Sequence, residues 1–464
     1  MEDRQKIYQA RLCGNNREIP GEVGYSSRFS LSILLHDGQA VRDGEQFEKL
    51  IIQTEGREYS LDACRFLLGT GREDGKGKII FILNLYDFDG FFNDGRLVNF
   101  DSYYNNLVLV LAQKEKIKDF FIRYTSNLIF DLNVYQHFFD DLDRKIADEP
   151  TEVRESVTQT VLDTEGRKFL HFLQDSMDRL ADVIRDFTRE DHELHGFYLR
   201  KSLWPMILCS EFMTRTNLKP RGYAGDSEMM RMIYDNAFVG ETTFSKLMYK
   251  YGVEVSAAQS VRNRRIMIPR ILRHVQDDFS RRTGEPLRIM SVACGPAYEL
   301  QDLFLCEDDI RNFEVTLLDQ DEEALQEATK GICEIEKTLG YQVKATYIRD
   351  SVRTMLREKD IDKKWGKFNF IYSMGLFDYL TPPVAKVVLE KMYQMLEPGG
   401  QILVGNYHVS NASRWFMEYW LDWVLYYRTE DDFRHLMRDT DAVDINVFFE
   451  DSKCQIFLNA KKPL

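Results

Sequence analysis

In LRIMSVACGPAYEL an apolar run ends at Cys294-Gly295-Pro296, and an amphipathic segment follows from about Glu299. The next apolar run, in FEVTLLDQDEEAL, ends at Asp319. Such runs are expected for strands buried on both faces of a parallel sheet. Gly295 permits a sharp turn and close approach of a ligand. A helix starting near Glu299 would aim its free N–H groups at whatever the turn holds. An acid at the tip of the second strand is placed to accept from both ribose hydroxyls of a nucleoside. Ala293, Cys294, Gly295, Asp319 and Gln320 are therefore candidate cofactor contacts.

Dinucleotides and S-adenosylmethionine both use that ribose acid. A dinucleotide site prefers G-x-G-x-x-G, so that a pyrophosphate can press on bare backbone. Here Gly295 is followed by Pro296-Ala297-Tyr298, with no second glycine, and proline removes a donor. The turn favours a sulfonium with an amino-acid tail, and S-adenosylmethionine is the expected cofactor.

Later runs extend the site. VKATYIRDS reads as a third strand ending at Asp350-Ser351, beside the adenine amine. FNFIYSMGLFDYL is a fourth, leaving Ser373, Met374 and Gly375 at its end and Tyr379 shortly after, to pack or to touch substrate. LEPGGQILVGNYH turns into a fifth and leads to His408, either a histidine satisfied at a strand end or a general base or substrate orienter. His408 and Tyr379 are the catalytic candidates. Cys294 is read as small enough to fit beside the glycine, with a nucleophile as the alternative. Tyr223, in KPRGYAGDSEMM, is expected in a lid segment, against the sulfonium or adenosine. Asp226 in the same stretch is a plausible N-cap. Trp415, Tyr419 and Trp423 recur at four, as on one helix face, forming core, interface or a greasy substrate wall.

The elements that must carry these residues divide the chain of 464 residues in four. Residues 1–112 carry β signals, with RFSLSIL alternating Phe29, Leu31 and Ile33 against serines, and turns at HDG, RDG, REDGKG and NDG. A small barrel or sandwich is expected there. Residues 113–217 show helical spacing, including Phe169, Phe172, Met177, Leu180 and Ile184, with a break at Pro150. Residues 218–286 form a helical lid region, and residues 287–464 alternate strand and helix, ending in a hairpin around Asp451-Ser452-Lys453.

Totals exclude several classes. Net charge is −14, which disfavours a general nucleic-acid binder and docking on anionic membranes. The one dense basic run, SVRNRR with Arg262, Arg264 and Arg265, is a solvated face or a local anion site. No apolar run approaches the roughly 18 residues of a membrane span. The charged start MEDRQKIYQAR carries no apolar signal segment, so a cytoplasmic location is expected. Seven cysteines without C-x-x-C suggest neither a disulfide framework nor a zinc cluster, and no metal is expected.

Taken in order, SVACGPAYEL, Asp319, RDS, LEPGGQILV and the terminal hairpin resemble class I S-adenosylmethionine-dependent methyltransferases across residues 287–462. The resemblance implies a seven-stranded α/β Rossmann-like sheet. KPRGYAGDSEMM after a β-rich start is similar to bacterial methyltransferases assigned to 3-hydroxy fatty acid methyl esters. The front domain looks like a degenerate PilZ domain. It lacks the R-x-x-x-R and [DN]-x-S-x-x-G motifs, so nucleotide binding there is not expected. The implied function is methylation of a small-molecule acceptor, O-methylation of a hydrophobic acid in particular, by a chain that can self-associate. The alternatives are a cofactor- or nucleotide-responsive regulator with little turnover, and a protein methyltransferase.

Overall fold

The computed structural model describes residues 6–14, 17–27, 29–36, 41–54, 57–68, 76–81, 86–88, 91–92, 98–99 and 114–464. The chain forms two compact units, Met1–Ile117 and Lys118–Leu464.

In the first unit six strands close an antiparallel barrel: β1 (Ile7–Gly14), β2 (Arg17–Ser27), β3 (Ser30–Leu35), β4 (Gln46–Thr54), β5 (Arg57–Leu68) and β6 (Lys76–Phe81). Their order is β1-β2-β3-β6-β5-β4, closed by β1 against β4, and β7 (Tyr86–Asp87) pairs with β8 (Val98–Asn99) apart from it. Alternation fills the interior with Leu12, Val23, Leu31, Ile33, Leu50, Ile52, Phe66 and Ile79. Phe29 does not share the face of Leu31 and Ile33. It lies in the β2–β3 turn and is 41% exposed, because the strand begins only at Ser30. The turn at RDG is present, with Gly44 at φ +77°. Those expected at HDG, REDGKG and NDG lie wholly or partly outside the described residues.

The second unit opens with helices. Helix α1 (Asp119–Ile146) buries Phe121, Leu128, Leu132 and Phe139. Helix α2 (Arg167–Val183) buries Phe169, Leu173, Met177 and Leu180, and Phe172 is half-buried. These helices, α3 (Ser227–Asp235) and α4 (Ser256–Thr283) all fall in the same unit as the sheet.

The sheet contains β9 (Leu287–Val292), β10 (Phe313–Asp319), β11 (Lys344–Arg349), β12 (Phe368–Ser373), β13 (Leu396–Tyr407), β14 (Val443–Phe449) and β15 (Gln455–Lys461). The order is β11-β10-β9-β12-β13-β15-β14. β9 to β13 pair in parallel, whereas β15 runs antiparallel between β13 and β14. One face packs Ile289, Val315 and Leu317 against Ile268 and Leu272 of α4 and Ala328 and Ile332 of α6 (Glu322–Leu339). The other packs Met290, Val292 and Ile371 against Val388, Leu389 and Met392. Both layers are apolar, which is why β9 and β10 read as continuous runs. Strand order reverses between β9 and β12, and a crevice opens at the carboxyl ends there.

Candidate functional site

The turn after β9 is built on alternate left-handed residues: Ala293 at φ +53°, Gly295 at +56° and Ala297 at +49°. Two alanines thus adopt a conformation that costs an L-residue roughly 1–2 kcal/mol. At Gly295 a Cβ would meet nothing within 4 Å, so the turn faces open space. The Cys294 amide donates to the Leu318 carbonyl at 3.0 Å, tying the turn to β10. Asp319 Oδ2 accepts from the Gly295 amide at 2.8 Å and Oδ1 from the Asp321 amide at 3.0 Å. Burial pushes the Asp319 carboxyl up, and its backbone donors pull it back. The acid expected on ribose is therefore fixed in place by the turn it neighbours.

Beyond the turn, α5 (Glu299–Leu303) starts with Glu299, whose Oε1 accepts from the Tyr372 hydroxyl at 2.7 Å. Burial raises the Glu299 pKa. Burial likewise holds the Cys294 thiol well above its ordinary value, and its Sγ lies 3.4 Å from the Gly295 carbonyl. A neutral thiol is a poor nucleophile.

Residues 221–227 form a strap between two walls of the crevice. On one side the Tyr223 hydroxyl and Arg221 Nη1 each donate to Asp321 Oδ2 at 3.2 Å, and Arg221 also pairs with Glu323. On the other, a Cβ at Gly225 would stand 2.7 Å from Tyr379 Oη and 2.9 Å from Trp423. Trp423 Nε1 donates to that same Tyr379 oxygen at 2.9 Å. The strap is anchored at Asp226, which caps α3 through the Met229 amide at 2.9 Å and receives Arg215 through Nε and Nη2, the latter at 2.7 Å.

These parts enclose a cavity of about 440 Å³. Its wall includes Tyr223, Ala293, Cys294, Gly295, Asp319, Gln320, Asp350, Ser351, Met374, Gly375 and Tyr379. Ser373 is elsewhere: its hydroxyl donates to the Val292 carbonyl at 2.8 Å inside the sheet. His408 is not in the wall either. It is buried with Nδ1 2.6 Å from the Ser410 hydroxyl and Nε2 3.1 Å from Glu430, so both ring nitrogens are engaged away from the cavity. Trp415, Tyr419 and Trp423 do not share a helix face. Helix α7 (Arg414–Tyr419) ends, and Asp422 turns left-handed at φ +53°. Trp415 and Tyr419 pack on His192, whereas Trp423 reaches the cavity.

Three charged wall residues were not assigned to this cavity by sequence. Sequence marks Glu299 only as a helix start, and in LFDYL it offers Tyr379 before Asp378. Asp378 is 2% exposed, accepts from the Tyr407 amide at 2.6 Å and is pushed up to about 6 by burial. The third is Arg264. SVRNRR is not a solvated face: Arg262 donates to the Val253 and Ile233 carbonyls, and Arg265 pairs with Asp302. Arg264 is buried and lines the cavity. The basic composition was visible in sequence; the helix phase that turns each arginine inward was not.

No family model matches the chain, and no curated protein matches it by sequence. Solved structures do match. A possible exported protein from Bordetella parapertussis is 17% identical, over 64% of this chain and 97% of that one, with a TM-score of 0.43. Magnesium protoporphyrin IX methyltransferase (ChlM) from Synechocystis, solved with bound S-adenosylmethionine, is 12% identical over 44% of this chain and 83% of its own, at 0.32. The S-adenosylmethionine-dependent methyltransferase SibL, solved in its apo form, is 16% identical over 66% and 96%, at 0.35. The solved structures to which this chain is similar thus include S-adenosylmethionine-dependent methyltransferases.

Proposed function

We propose that the second unit binds S-adenosylmethionine and transfers its methyl group to a small-molecule acceptor. The observation that carries this reading is Asp319, a carboxylate at the tip of β10 held by the Gly295 amide of the turn after β9, beside the strand-order reversal. Its fit to a nucleoside is good: the turn opens on free space, and Asp350 and Ser351 stand at the next strand end in the same wall. Its fit to a pyrophosphate is poor, because Pro296 offers no amide and alanines occupy the flanking left-handed positions.

The bound cofactor would supply an already activated methyl group. The protein then has to align the acceptor and exclude water, which suits a cavity spanned by the 221–227 strap. Met230, Val261, Leu376, Trp423 and Leu425 make part of the wall apolar, which supports a hydrophobic acid as acceptor and its O-methylation. A carboxylate needs no base at neutral pH. For a hydroxyl acceptor, Asp378, unlike His408, is a titratable group in the wall. We read the first unit as a PilZ-like barrel without a nucleotide role.

Calorimetric titration tests the cofactor. S-adenosylmethionine and S-adenosylhomocysteine should bind, NAD and ATP should not, and Asp319→Ala should weaken binding at least about tenfold, as expected for two lost charge-assisted bonds. Methyl-labelled cofactor incubated with a metabolite extract should then yield an alkali-labile labelled ester. Preferential binding of a phosphate-bearing nucleotide would overturn the reading.

A further inference from the structure

We infer that Arg264 is the carboxylate seat of this cavity, a residue that receives the anionic end of a bound ligand. The inference rests on the methyltransferase reading for the identity of that ligand, and on geometry for the seat itself.

Arg264 is 8% exposed and lies in the cavity wall. Two other arginines reach that wall, and both are neutralised: Arg221 by Asp321 and Glu323, Arg265 by Asp302. Among the described residues no carboxylate stands within ion-pair distance of Arg264. Its partners are the Met374 carbonyl, 2.8 Å from Nη1, and the Met230 sulfur, 3.5 Å from Nη2, with the Tyr234 hydroxyl also facing it. A thioether is a weak acceptor. A buried guanidinium so supplied is under-compensated, since burying a charge is costly unless it is paired.

The approach to it is open. At Gly375 a Cβ would already sit 3.6 Å from Nη1 and 3.7 Å from Nη2, so a longer side chain there would lie across the guanidinium. Glycine leaves the fork bare. Two acids in the wall that feel its charge, Glu299 and Asp378, accept from other donors, Tyr372 Oη and the Tyr407 amide. Neither stands within ion-pair distance of the guanidinium, so neither is a direct counter-charge to it. A planar fork with free donors matches a carboxylate in two-point contact.

Two carboxylates can reach such a seat: that of the cofactor's amino-acid end, and that of an acid acceptor. One experiment separates them. Binding of S-adenosylhomocysteine, of 5′-methylthioadenosine (the same nucleoside without the amino-acid end) and of octanoate is measured on the full chain and on R264Q and R264K. Octanoate is titrated with S-adenosylhomocysteine saturating. If the cofactor's carboxylate sits there, R264Q weakens S-adenosylhomocysteine about thirtyfold or more and leaves methylthioadenosine within about twofold. If the acceptor's does, both nucleosides hold and octanoate binding is lost. R264K, a point charge without the fork, should fall between wild type and R264Q. Should R264Q fail to fold, the ratio of the two nucleoside affinities in R264K decides alone. Equal weakening of all three ligands, or of none, overturns the seat. If the wild type binds neither nucleoside, the cofactor reading has failed, and the octanoate comparison by itself upholds or removes Arg264.

Discussion

At the scale of single residues, Asp378 gives a signed pH prediction. Burial lifts its carboxyl from 3.8 to about 6 against the pull of the Tyr407 amide and the Arg264 and Arg428 cations. The folded chain therefore holds a proton that the unfolded chain has released between those values. Stability from this group is full below about pH 4, declines as pH rises through 6, and is absent above it. The effect is of the order of 3 kcal/mol. Asp378→Asn should erase the slope, so the melting temperature of the variant minus that of wild type should become more positive from pH 4.5 to 7.5. A flat difference would show that Asp378 titrates normally. The cysteines give a second test. Cys306 and Cys333 are exposed, whereas Cys294 carries a thiol pushed up by burial. Iodoacetamide at pH 7.5 should label the first two in the native protein and leave Cys294 unmodified by peptide mass mapping. The place of Asp319 in the cavity wall was legible in sequence because an acid that ends an apolar run falls at a strand tip. Arg264 was legible only as one of a basic run, a solvated face or a local anion site, and Glu299 and Asp378 were not legible, because each gains its meaning from a partner distant in the chain, Tyr372 for Glu299 and Tyr407 for Asp378.

Among elements, the 221–227 strap stands out. It is held on one side by exchangeable ion pairs, Arg221 with Asp321 and Glu323, and on the other by the tight passage of Gly225 past Tyr379 and Trp423. Ion pairs near the surface weaken with salt. Dissociation of S-adenosylhomocysteine, followed by stopped flow, should therefore accelerate with ionic strength, and Arg221→Met should be fast already at low salt and insensitive to more. At the strap's far end Asp226 both caps α3 and pairs with Arg215. Asp226→Ala should cost about 3–5 kcal/mol by chemical denaturation, because it leaves a largely buried arginine unpaired and removes a cap. Asp226→Asn should cost less, since an amide oxygen still caps. The cap was legible, as aspartate before a helical run seldom does otherwise. The bend that separates Trp423 from Trp415 was not: spacing at four predicts one face only while the helix continues, and it stops at Tyr419, before the left-handed Asp422.

For the whole molecule, the residues lining the cavity all fall between Arg221 and Leu425, and the barrel has its own core of Leu12, Val23, Leu50 and Ile52. Residues 118–464 expressed alone should bind S-adenosylmethionine within about twofold of the full chain, and loss of binding would assign the barrel a part in the site. The strands of the sheet could be read from sequence because buried parallel strands leave unbroken apolar runs, and a small barrel or sandwich could be expected in front of them, but which barrel strands pair could not, since alternation marks faces and not partners. The turn after β9 carries one last consequence. Ala293 and Ala297 hold backbone angles that glycine holds at less cost. Alanine and glycine codons differ at a single base, so a randomly mutated gene under heat selection is one step from relief at either position. Ala293→Gly and Ala297→Gly belong among the survivors of such a selection, each worth up to about 1 kcal/mol.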